Sequence, residues 1–125
     1  MDLDEIKKTI LKLDKQKRVK FIILFGSVAE GRNNALSDVD VAVYYEGNKK
    51  ERFNFRLTAL SHLPDNVDLQ IFQDLPLYIQ KNILRGKVLY YDDFQFIFNQ
   101  FMNVIREFDT FEKYYEQYLS QMMAT

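Results

Sequence analysis

Leu3, Ile6, Ile10 and Leu13 recur three or four positions apart between charged side chains, so residues 2 to 17 read as an amphipathic helix lying on an apolar surface. The pattern then changes. Residues 19 to 25 (VKFIILF) are β-branched or apolar almost throughout and end at Gly26, the mark of a buried central strand running into a turn. Residues 38 to 45 (DVDVAVYY) alternate, with Val39, Val41, Val43 and Tyr45 on one face and Asp38, Asp40, Ala42 and Tyr44 on the other. Two carboxylates are therefore expected on one side of one strand.

Residues 49 to 62 read as a helix that ends before Pro64, and residues 67 to 72 (VDLQIF) as a third strand carrying a lone acid, Asp68. Residues 74 to 85 begin with Asp, place Pro two positions later and stop before Gly86, which predicts a helix with Gly86 as its C-cap. The short strand KVLYY follows, then a helical region from about 93 to 122 capped by Asp92 or Asp93. The order implies one α/β (α+β) domain over residues 1–125, a small mixed sheet of about four strands flanked by helices.

Within the C-terminal region Phe94, Phe101, Phe108, Tyr115 and Met122 recur every seven residues, with Phe98, Ile105 and Leu119 between them, as in a heptad seam. Unbroken, such a helix is about 45 Å long at 1.5 Å per residue, against a radius of gyration near 14 Å for a compact chain of this size. Two outcomes stand open. Either the helix bends near Asp109 and packs wholly on its own domain, or part of it projects to meet a second copy or another protein.

Composition narrows the function. Seventeen Lys and Arg against eighteen Asp and Glu give a net charge of -1, and no basic stripe is visible, so nucleic acid is not the expected partner. The absence of Cys excludes disulfides, thiol catalysis and Cys-ligated zinc. The longest apolar run, around Phe21 to Phe25, falls far short of the roughly 20 residues that span a bilayer, and the opening MDLDEIKKTI carries no apolar run of signal length. A cytoplasmic location without membrane contact is expected. His62, the single histidine, has no acid or second His at ligand spacing and reads as a surface residue.

The chemistry lies in a spaced set. Gly26-Ser27 follows the buried strand, where backbone N–H groups and a hydroxyl can converge on a phosphate. Asp38 and Asp40 supply hard oxygen ligands suited to Mg²⁺ or Mn²⁺, and Asp68 could face the same side from the third strand. Two carboxylates about 4 Å apart repel by roughly 1 kcal/mol in water and about 4 kcal/mol at an effective dielectric near 20. Bound cation reverses that sign, so convergent acids favour metal-assisted phosphoryl or nucleotidyl transfer. Arg85 and Lys87, either side of Gly86, could reach a triphosphate or simply face solvent.

The string FGSVAEGRNNALSDVDVAV, with Asp68 in NVDLQIF, resembles the polymerase-β nucleotidyltransferase superfamily and, more closely, the minimal nucleotidyltransferase (MNT) antitoxins encoded beside HEPN-domain toxins. The resemblance implies that Gly26, Ser27 and Arg32 bind the triphosphate of ATP, and that Asp38 and Asp40 ligand two Mg²⁺ ions. Asp68 would complete the ion nearer the acceptor. The implied reaction transfers AMP to a tyrosine of the HEPN toxin. Alternatives are an antitoxin that neutralises by binding alone and an antibiotic-type adenylyltransferase acting on a small molecule. A homodimer through the C-terminal helix is a further expectation.

Overall fold

The computed structural model describes residues 1–26 and 38–123. Its elements run α1 (Leu3–Leu13), β1 (Val19–Phe25), β2 (Val39–Tyr45), α2 (Lys49–Ser61), β3 (Val67–Ile71), a 3₁₀ turn (Phe72–Asp74), α3 (Leu77–Ile83), β4 (Lys87–Tyr91) and α4 (Phe94–Met123). The four strands form one mixed sheet in the order β3-β2-β1-β4. β1 runs antiparallel to both β2 and β4, whereas β2 and β3 are parallel.

Alternation along β1 and β2 sorts their side chains into two apolar layers. Ile22, Leu24, Val41 and Val43 join Ile6 and Ile10 of α1, Phe55 and Ala59 of α2, and Val67, Leu69 and Ile71 of β3 on one face. Phe21, Ile23 and Ala42 join Phe72, Ile83, Ile97 and Val104 on the other, with Phe25, Tyr44 and Phe96 packed against them. β1 is thus apolar on both faces because it is covered on both, which is why it reads as a continuous hydrophobic run. β3 is apolar towards α1 and α2, and β2 is apolar on its other face only beyond Asp40, at Ala42 and Tyr44. Their other face holds Asp40 and Asp68.

α1 is shorter than its periodicity predicts, and Asp14 explains where it stops. The buried Asp14 carboxylate accepts the backbone N–H groups of Arg18 and Val19, each at 2.8 Å, and Lys17 takes a positive φ of 57° to complete the reversal into β1. α2 begins with a full capping box between Asn48 and Glu51. The helix expected from residue 74 starts later: Asp74 closes the 3₁₀ turn and pairs with Arg52, at 2.7 Å from Nη2, and Pro76 precedes the first turn of α3.

Gly86 is not a simple C-cap. Its N–H closes the turn on the Ile83 carbonyl at 2.8 Å, and a Cβ there would lie 2.1 Å from the Leu24 carbonyl oxygen, so the residue must be glycine for β1 and this turn to touch. α4 runs 30 residues without a break at Asp109. Ile97 and Val104 bury on the sheet, but every residue from Asp109 to Met123 is exposed, so the outer half of the helix projects. Among the described residues no helix is long and apolar enough to cross a membrane.

Candidate active site

One end of the sheet collects the carboxylates. Phe25, the last residue of β1, pairs with Asp40 near the start of β2, and Asp40 in turn pairs with Asp68 near the start of β3. Asp40 and Asp68 therefore stand abreast on adjacent parallel strands, on the face shared with α3 and α4. Gly26 turns away from this edge with φ of 81°, and a Cβ built on it would lie 2.6 Å from Asp40 Oδ2. A side chain at position 26 would fill the space in front of that carboxylate.

Asp38 departs from the expected placement. The strand begins at Val39, whose N–H is taken by the Asn66 carbonyl at 2.8 Å, while β1 has already ended opposite Asp40. Asp38 immediately precedes β2 and is exposed. It still acts on the site. Burial pushes the Asp40 carboxyl above the usual range, and the negative charges of Asp68 and then Asp38 push it the same way. No hydrogen-bond donor among the described residues reaches the Asp40 side chain.

Asp68 is held. Its Oδ2 accepts a hydrogen bond from Gln70 Nε2 at 2.8 Å, and its Oδ1 lies 3.7 Å from Arg56 Nη2. Gln70 was legible in principle, since two residues along a strand share a face. Arg56, reaching round from α2, was not. Ser27 and Arg32 lie outside the described residues. Lys87 pairs with Leu24 and so shares the α1 face, opposite Asp40, while Arg85 is exposed on the turn before it. His62 is an exposed helix cap, its Nδ1 2.9 Å from the Thr58 carbonyl.

A divalent cation suits this arrangement in a particular way. Among the described residues no three His, Cys, Asp or Glu side chains form a group able to hold a metal unaided. Mg²⁺, however, is commonly bound by one or two carboxylates together with substrate phosphates and water. Two oxygen donors abreast, one destabilised as an anion by burial and by its acidic neighbours, fit an ion that arrives with a nucleotide.

Residues 7–95 match the family model described as polymerase beta, nucleotidyltransferase. Over 75 residues the chain is 32% identical to a Methanocaldococcus jannaschii protein provisionally named a protein adenylyltransferase, a match covering 59% of this chain and 57% of that protein. The chain thus spans little more than half the length of that relative. Among solved structures it resembles a chain of a mutant toxin–antitoxin pair containing MntA, with a TM-score of 0.76 at 18% identity over 98% of this chain and 99% of that one. It also resembles a chain from the complex of tri-AMPylated Shewanella oneidensis HEPN toxin with MNT antitoxin, with a TM-score of 0.68 at 19% identity over 96% and 98%. A toxin–antitoxin structure with AMP-PNP gives a TM-score of 0.71 at 21% identity, over 94% and 98%. At these identities the likeness is one of fold.

Proposed function

Because the chain belongs to the polymerase-β nucleotidyltransferase family, we propose that it is the enzymatic antitoxin of a HEPN toxin, transferring AMP from ATP to a tyrosine hydroxyl of that protein in the cytoplasm. The observation that carries this is the register of Asp40 beside Asp68 at the Gly26 end of the sheet. Such a pair, repelling in the empty state, supports a site built for cations and phosphate. The protein acceptor is supported by what the chain resembles, a provisionally named protein adenylyltransferase and a chain from a complex holding an AMPylated toxin.

Asp38, Asp40 and Asp68 would hold two Mg²⁺ ions, with Mn²⁺ as a substitute. When bound, these ions offset charge on the α-phosphate and the leaving pyrophosphate. Gly26 leaves backbone open to the triphosphate, which Ser27 and Arg32 would share. Asp68, nearest the open edge of the sheet, orients the acceptor hydroxyl and accepts its proton. The oxygen–phosphorus bond to tyrosine forms as the bond from the α-phosphorus to the bridging oxygen breaks, and pyrophosphate departs in line. Residues 1–125 act as one catalytic domain. The projecting half of α4, with Phe111, Tyr115 and Met122 exposed, supplies a surface for the toxin or for a second copy.

Intact-mass spectrometry of a co-expressed HEPN protein tests this directly. AMP-sized increments are expected with the wild-type chain in Mg²⁺ and ATP, and none with Asp38→Asn/Asp40→Asn. That uncovered helix surface also supports a second reading, neutralisation by binding alone. Complex formation with no added mass from either chain would establish it instead.

A further inference from the structure

Asp40 and Asp68 differ in what surrounds them. Asp68 lies on β3, an edge strand of the sheet among the described residues. Arg56 of α2 comes round that edge from the opposite layer, and its Nε donates to the Leu69 carbonyl at 2.7 Å, which fixes the guanidinium next to the strand. From there its Nη2 stands 3.7 Å from Asp68 Oδ1, while Gln70 Nε2 donates to Oδ2 at 2.8 Å. Both carboxylate oxygens are thus engaged by the chain itself.

We infer that Arg56 and Gln70 are positioning residues for Asp68, and that Arg56 competes with a divalent cation for the Asp68 carboxylate. The inference rests on Asp68 being a cation ligand, as proposed above. Gln70 fixes the plane of the carboxylate through one oxygen, a neutral bond that leaves its charge intact. Arg56 faces the other oxygen with a full positive charge, and that contact must be shared or given up for Oδ1 to ligand a metal. Asp40 has no such competitor among the described residues. The two carboxylates therefore take different parts: Asp40 holds cation unopposed, and Asp68 shares its Oδ1 between cation and Arg56. The pair is half exposed, so the competition is modest, on the order of fivefold in affinity.

Mn²⁺ titration by calorimetry on the intact chain without nucleotide, combined with single-turnover AMP transfer, tests this. Arg56→Gln should bind Mn²⁺ about fivefold more tightly yet transfer AMP more slowly, because Asp68 is no longer held. Arg56→Lys keeps the charge and should retain wild-type affinity, which also guards against a folding defect in the Gln variant. Gln70→Met should leave Mn²⁺ affinity within about twofold while slowing transfer, a split that a merely structural role would not produce. In an Asp68→Asn background the Arg56→Gln effect on affinity should vanish. Unchanged Mn²⁺ affinity in Arg56→Gln, or an equal gain with and without Asp68, overturns the competition. Wild-type Mn²⁺ affinity in Asp68→Asn alone would instead remove Asp68 from the metal site, a separate failure.

Discussion

The two ends of the sheet carry similar numbers of acids and treat one of them, Asp40, unlike the rest. At the end where β1 begins, Asp14 accepts two backbone N–H groups, Glu51 pairs with Arg18 and closes the Asn48 capping box, and Lys20 sits 3.3 Å from both Glu46 and Asp92. Every one of these carboxylates has a donor or a cation. At the end where β1 finishes, Asp68 is engaged by Gln70 and Arg56, but Asp40 beside it meets the charges of Asp68 and Asp38 and no donor among the described residues. Satisfied acids build the fold. Asp40, kept beside two other acids with no donor among the described residues, marks the place where a ligand completes the structure.

The sharpest way to break this contrast is Asp40→Asn. Nucleotide transfer should fall at least about 10³-fold, while the chain without metal unfolds at a higher temperature, because a like-charge contact has gone. Radiolabelled AMP incorporation and thermal unfolding on the same sample measure both. A loss of stability as well as activity would put Asp40 among the structural acids.

Two glycines sharpen the comparison next. Gly86→Ala drives a Cβ into the Leu24 carbonyl at 2.1 Å, where neither backbone can yield, and should destabilise by about 3 kcal/mol in denaturant melts. Gly26→Ala meets only the tip of the Asp40 side chain, at 2.6 Å, with a strained φ of 81° worth roughly 1–2 kcal/mol. Its larger effect should be on kcat, through a displaced carboxylate. Comparable losses of activity per unit of lost stability in the two variants would erase the distinction. Asp14→Ala, at the other end, should cost about 2 kcal/mol for two charge-assisted backbone bonds and leave kcat of the folded fraction unchanged.

Most of this organisation was legible in the residues. The seven-residue run of β1, the alternation of β2 and the lone acid of β3 named the strands and their acids, because strand period is fixed by backbone geometry, while the pairing of Asp40 with Asp68 on one face came from the register of β2 and β3. Asp38 falls one residue before β2, since alternation says which face a residue would take but not at which residue the strand starts. The end of α1 was missed because its cap depends on Asp14 meeting residues four and five further on, a tertiary match with no periodic signal. Arg56 was invisible for the same reason. The heptad seam of α4 left a bend near Asp109 and a projecting half both open, and only the packing of its first half on the sheet decided between them.

The smallest effect is also the one that sets the two ends directly against each other. Asp40 has its carboxyl raised by burial, Asp68 and Asp38, so its folded pKa lies above the unfolded one. The stability linked to it is fully present below the unfolded value, near 4, and is lost as pH rises through the folded value. Glu51 is lowered by Arg18 and by the Asn48 amide, so its contribution is present above the unfolded value and is lost as pH falls through the folded one. Denaturant melts from about pH 3 to pH 7 in EDTA should therefore give opposite trends. Asp40→Asn gains on wild type as pH rises, by about 1 kcal/mol at neutrality, the scale of two like charges a few Å apart in water. Glu51→Gln loses on wild type over the same interval. Saturating Mg²⁺ should abolish the first trend, because cation binds only the folded site, and leave the second untouched. Parallel trends in the two variants would mean that the carboxylates at both ends are satisfied alike.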